Sequence, residues 1–131
     1  MFITIITGGF MAGSDAGKSF NTYPLMNGKF FPDDYFLEGL GILNLFENTI
    51  AINFNHRWLA TFTFFIVCFI HLYLLISKRH MSDKFPLILV LITISLQFFL
   101  GVITLIKNVP ISFASMHQTN SVLLLASMLF S

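Results

Sequence analysis

Two histidines carry the chemistry this sequence can do. His56 stands in Asn55-His56-Arg57-Trp58-Leu59-Ala60 and His117 in Ser115-Met116-His117-Gln118-Thr119-Asn120, each a little way inside the start of a long apolar run. An apolar run of membrane length rarely carries an ionisable group without a use for it. If the runs cross a bilayer, one complete span lies between the histidines, so their helices run parallel and both rings sit at similar depth. Two neutral imidazoles at one depth on neighbouring helices suit axial ligation of an iron porphyrin from its two faces. The plainer use of a membrane histidine is a hydrogen bond to a neighbouring helix. His71 fits that use: at about 1.5 Å per residue it lies about 22 Å deeper than His56, with no partner at its level.

The residues around the pair are consistent with a flat macrocycle. One helical turn deeper on each histidine's face stand Ala60 and Ser121, small enough to leave a slot, although small residues also serve plain helix packing. Arg57 and Lys107 lie near the same boundary and are candidates for porphyrin propionates, Arg more so because its planar fork matches a carboxylate; headgroup anchoring explains them equally well. Gln97 and Gln118 are candidate hydrogen-bond partners of the ligands, or helix bridges.

The rest of the chain must position these residues, and its composition says how. Of 131 residues, 56% are hydrophobic and 10% are charged, against roughly 25% charged in soluble domains, and the mean hydropathy is +0.82. The fold class is therefore all-α integral membrane: a transmembrane helix bundle with three full spans and a truncated first one. A net charge of +1 and the lack of a basic stripe give no reason to expect nucleic acid. Cys68, the single cysteine, excludes an intrachain disulfide and a cysteine zinc site and reads as a small buried residue.

Residues 1–12, MFITIITGGFMA, fall short of the roughly 20 apolar residues a span needs and lack the basic start of a signal peptide. They read as the truncated helix, with Gly9 and Gly13 offering close approach to another helix. Residues 13–55 form an extracytoplasmic loop with five of the six acidic residues against Lys18 and Lys29. A loop of that length is usually functional or packed as a lid, and Asp34 to Phe46 can hold an interfacial helix on Phe36, Leu37, Leu40, Leu43 and Leu45. Complete spans follow at 56–77, at 85–106 with Pro86 in its first turn, and at 111–131, joined by a loop at 78–84 and a turn at 107–110. Lys78, Arg79 and Lys84 against Asp83 make the 78–84 loop cytoplasmic, with His80 an ordinary loop residue. The two site histidines then lie near the outer face.

One motif is a decoy. Ala12-Gly-Ser-Asp-Ala-Gly-Lys18-Ser19 satisfies a loose phosphate-loop pattern, but such a loop must open a helix, and here Asn21-Thr22-Tyr23-Pro24 and Asn27-Gly28 follow as turn signals.

Gly8-Gly9-Phe10-Met11-Ala12-Gly13, the segment Asn21-Thr22-Tyr23-Pro24-Leu25-Met26-Asn27-Gly28, Phe46-Glu47-Asn48-Thr49, the His56-Arg57 pair and Met116-His117-Gln118 occur in an order that resembles the C-terminal half of haem A synthase. The resemblance covers nearly the whole chain. It implies half of an eight-span protein built from two similar four-helix halves, with haem b held between histidines at the positions of His56 and His117. It implies a family reaction, oxidation of a ring methyl group of haem O to the formyl group of haem A for cytochrome oxidase, with the substrate haem and the catalytic acid in the other half. The implied partners are the N-terminal half, or a second copy in its place, haem O as substrate of the whole enzyme, and haem O synthase with the cytochrome oxidase assembly machinery. The implied location is the bacterial inner membrane, with the mitochondrial inner membrane second.

The departures are informative. The family's catalytic half has a glutamate three residues before its first histidine; that position here is Asn53, and Glu47 matches a different loop element, so no catalytic residue is assigned. The expectation is an oxidoreductase family member that is inactive without its other half. From the residues alone, a small bis-histidine haem b anchor passing electrons to quinone fits the spans and histidines as well, though it has little need for a long external acidic loop. A non-catalytic assembly subunit whose histidines only brace helices is the third reading.

Overall fold

Why the second long helix starts where it does is written in Asn48. Its side-chain Oδ1 accepts the Ile50 amide at 3.0 Å and its carbonyl accepts the Ile52 amide at 2.9 Å, which makes Asn48 an N-cap. In the computed structural model, which describes residues 1–77 and 81–131 and side chains outside 78–83, the helices are α1 (Phe2–Gly13), the short α2 (Asn44–Glu47), α3 (Thr49–Ser77), α4 (Met81–Ile106) and α5 (Ile111–Phe130). The described residues are all-helical apart from turns and one isolated bridge. The end of the expected 13–55 loop is thus helical from Thr49 onward, because the cap lies upstream of the charged and aromatic residues that marked the boundary in the sequence.

The architecture is a membrane helix bundle. α3 and α4 are each long and apolar enough to cross a bilayer, and α3 exposes Phe62, Phe65, Ile66, Phe69, Ile70 and Tyr73, an apolar surface of the kind that faces lipid or another helix. α5 has 20 residues, but its polar stretch from His117 to Ser121 makes it the least apolar of the three expected spans. α1 has 12 residues. α4 packs against both α3 and α5, and α1 packs against α3. A core of Val67, Val90, Ile94 and Leu124, with Phe64, Cys68 and Met128 around it, ties α3, α4 and α5 together. Pro86 sits inside α4 rather than in its first turn, since the helix already begins at Met81.

α4 ends in a Schellman motif: Asn108 donates to the Leu105 carbonyl at 3.1 Å and Val109 to the Thr104 carbonyl at 2.8 Å, with Asn108 in the left-handed region at φ 59°. Val109 is left-handed too, at φ 57°, an unusual conformation for a β-branched residue. It is held there against Gly17, where an added Cβ would lie 3.0 Å from Val109 Cγ2. This turn sets the direction of α5 and hence of His117.

The segment between α1 and α3 folds back over the bundle. Asn27-Gly28 forms a tight turn, with Met26 and Lys29 exchanging backbone hydrogen bonds at 2.9 and 3.1 Å and Met26 fully buried. The expected interfacial helix over Asp34 to Phe46 is present only at its end, as a 3-10 turn at Gly41–Leu43 followed by α2. Asp34, Gly39 and Gly41 all take positive φ, which ordinary helix does not allow. Asn44 and Asn48 instead bind the Tyr35 carbonyl, and Tyr35 donates to Asn55 Oδ1 at 2.8 Å. The positively charged Lys78-Arg79 stretch and His80, on which the expected sidedness rests, lie outside the described residues.

Candidate functional site

His56 and His117 line one cavity. It has a volume of about 580 Å³, within the range of cofactor pockets, and residues of α1, α3, α4, α5 and the connecting loop form its walls. Ile5, Phe64, Ile94, Phe98 and Leu124 contribute apolar surface, while the exposed Asp15 and Lys18, paired at 2.9 Å, mark its open rim. Ala60 and Ser121, the small residues one turn beyond each histidine, both line it.

Each imidazole lies against a glycine on a neighbouring helix. A Cβ at Gly8 would stand 3.3 Å from His56 Cε1, and a Cβ at Gly101 would stand 2.9 Å from His117 Cε1. Real Cβ atoms do not approach that closely, so α4 can carry only glycine beside His117 without a shift. Gly9 and Gly13, the pair expected to admit a helix, meet nothing within 4 Å. The close approach belongs to Gly8, one residue earlier. A glycine in a helix interior costs roughly 1 kcal/mol relative to alanine, and that cost is the only signal by which sequence alone marks Gly101.

Hydrogen bonds set which ring nitrogen carries the proton. Thr7 Oγ1 donates its one proton to the Thr4 carbonyl at 3.0 Å, so at 2.9 Å from His56 Nδ1 it accepts the Nδ1 proton. His56 Nε2 is then a lone pair, with no hydrogen bond among the described residues. His117 Nδ1 donates to the Gln97 carbonyl at 3.1 Å, and its Nε2 accepts from the Gln97 side-chain amide at 3.3 Å. Both rings thus take the tautomer that leaves Nε2 unprotonated.

Arg57 does more structural work than its sequence position announces. It is buried, with 5% of its surface exposed, and Nη1 donates to the carbonyls of Thr22, Pro24 and Leu25 at 2.8, 3.2 and 3.1 Å. Nη2 donates to Asn53 Oδ1 at 3.1 Å. Arg57 therefore clamps the loop to α3 over Tyr23, whose hydroxyl donates to Thr61 Oγ1 at 2.8 Å. Its Nε is buried without a partner, and it lines the cavity with no carboxylate beside it among the described residues. Lys107 is exposed and does not line the cavity; Lys18, from the decoy motif, lines the rim.

Asn53 is fully buried, and its Nδ2 donates to the Ala16 carbonyl at 2.8 Å. A carboxylate there could not donate, so the amide suits a bracing role. Glu47 is exposed and outside the cavity wall. His71 is buried and donates from Nδ1 to the Val67 carbonyl of its own helix at 2.9 Å, since a carbonyl only accepts. Gln118 lines the cavity, and Gln97 is the residue in contact with His117.

Residues 1–129 match the model of a family described as cytochrome oxidase assembly protein. The heme A synthase of Bartonella quintana is 39% identical over 119 residues, covering 91% of this chain and 33% of that protein. That of Wolbachia pipientis wMel is 38% identical over 130 residues, covering 99% and 35%, and that of Pelagibacter ubique 40% over 126 residues, covering 95% and 36%. The chain thus spans about a third of the length of the curated relatives it matches, and the match falls in their C-terminal portion. No solved structure matches. A bundle with two imidazoles on one cavity and a family match running nearly end to end leads to one assignment: the chain belongs to the cytochrome oxidase assembly protein family, among the relatives of heme A synthase.

Proposed function

We propose that this chain is the haem b-holding portion of a haem A synthase, with His56 and His117 as the two axial ligands. The observation that carries the reading is that both Nε2 atoms belong to rings on one cavity, each ring packed against a glycine. The residues fit the group: two imidazole donors, small residues at Ala60 and Ser121, apolar walls, and a buried guanidinium with an unpartnered Nε on the same cavity. When bound, haem b would supply a one-electron carrier, and with His56 and His117 both given to its iron no site would be left for oxygen.

The chain's own residues then have distinct tasks. Thr7 and the Gln97 carbonyl hold the Nδ1 protons, which orients each ring and raises its basicity as a ligand. Arg57 answers propionate charge from beside His56 while keeping the loop closed over the cavity. Asn53 stands where the catalytic half of the family has a glutamate, and it braces Arg57 and the Ala16 carbonyl. Oxidation of the haem O methyl group to the formyl group belongs to the whole enzyme, and this portion without the remaining length of its relatives does not perform it. The proposed setting is the bacterial inner membrane, with both histidines toward the outer side as the Lys78, Arg79 and Lys84 charges favour.

Purified chain supplied with haem b is expected to show a low-spin bis-histidine absorption spectrum. His56→Ala and His117→Ala are each expected to convert it to a single-histidine spectrum, and neither the chain nor its variants form haem A alone. A chain that folds but shows no haem bands rejects the ligand reading, and a wild-type spectrum retained by either variant rejects that histidine as a ligand.

A further inference from the structure

The two nitrogens of His117 are bound by one residue. Gln97 accepts the Nδ1 proton through its backbone carbonyl at 3.1 Å, and its side-chain amide donates to Nε2 at 3.3 Å. The amide is not free to turn away. Asn120 Nδ2 donates to Gln97 Oε1 at 2.9 Å and to the Thr93 carbonyl at 3.0 Å, and Asn120 is itself buried, with 4% exposed. That bond fixes which end of the Gln97 amide faces the imidazole, because only the oxygen can accept from Asn120. An imidazole Nε2 has one lone pair. It accepts the Gln97 proton or it binds iron, and it cannot do both. His56 Nε2 meets no such competitor among the described residues.

Resting on the ligand reading above, we infer that Gln97 is a positioning residue with two opposed effects on His117. Its carbonyl aims the ring, and its amide, held by Asn120, competes with iron for Nε2. His56 is therefore the tighter ligand and engages first; His117 engages second, as the Gln97 amide leaves. The pair is built for ordered ligation, although the two histidines match in type and glycine neighbour. Nothing in the Gln97 role touches the reacting atoms, so its effect is read in binding rather than in turnover.

Ferric haem b titrated into the detergent-solubilised full chain tests this through single-ligand variants, followed by the Soret band. His117→Ala, which leaves His56 alone, is expected to bind haem roughly five-fold more tightly than His56→Ala, the size of one net hydrogen bond. Adding Gln97→Leu to His56→Ala is expected to remove that gap, whereas adding it to His117→Ala leaves affinity unchanged. Asn120→Leu, which keeps Gln97 but frees its amide, is expected to move the His56→Ala variant in the same direction and decides the matter if Gln97→Leu does not fold. Equal affinity of the two single-ligand variants, or unchanged or weaker binding to His117 without the clamped amide, overturns the ordered ligation and leaves the haem reading intact. Absence of haem bands in every variant overturns both.

Discussion

His56 and His117 are the same residue facing the same cavity across a glycine, yet one is held from outside its packing layer and the other from within it. The His56 ring is oriented by the hydroxyl of Thr7 on α1, a helix with no fully buried residue. The His117 ring is oriented by the backbone and side chain of Gln97 in α4, which packs on two helices at once. On the His56 side the neighbouring cation, Arg57, is buried and bonded; on the His117 side, Lys107 is exposed. The difference shows that two residues of one type, in like settings along the chain, can be held by quite different surroundings.

The largest expected break in this comparison is at the cations. Arg57→Met removes three bonds to loop carbonyls and is expected to destabilise the chain by roughly 3 kcal/mol, since bonds from a charged donor are worth about 1.5–3 each and the carbonyls partly recover water. Limited proteolysis should then cut within residues 19–31. Lys107→Gln is expected to stay within about 0.5 kcal/mol and to leave the digestion pattern unchanged.

The glycines come next. Gly101→Ala is expected to cost roughly 1–3 kcal/mol through overpacking, because the 2.9 Å approach falls on a ring held at both nitrogens, and haem retention should fall with it. Gly8→Ala, at 3.3 Å from a ring held at Nδ1 alone, should be nearly neutral in a thermal melt. Equal effects would mean that the two rings are equally free to shift. An effect smaller than those at Arg57 and Gly101 sharpens the same contrast: Thr7→Val removes the proton acceptor of His56 Nδ1 at a cost of about 1 kcal/mol. Its expected signature is a mixture of His56 ring orientations, read as a broadened or split signal in the electron paramagnetic resonance of the ferric haem-loaded protein.

Much of the fold was legible because membrane helices announce themselves by composition. The apolar runs, the tight turn after Ile106 and the two polar interruptions at His56 and His117 could be read directly, as could the small residues Ala60 and Ser121. The start of α3 was missed by beginning the span at residue 56 and overlooking Asn48 as a cap. The interfacial helix was overdrawn because apolar spacing was weighed above Gly39 and Gly41, whose positive φ breaks it. Within the site, Arg57 lines the cavity and Lys107 does not, although their sequence surroundings are alike.

Hydropathy and chain direction act locally and along one axis, so the membrane class, the helix order and the two histidines that line one cavity could be read from the residues. Which glycines face the rings, which nitrogen each ring keeps as a lone pair, and the bonding of Gln97 and Arg57 came from packing across the bundle. Those facts depend on the rotation of each helix about its own axis, which is set by side chains meeting across the bundle and leaves no regular period in the chain.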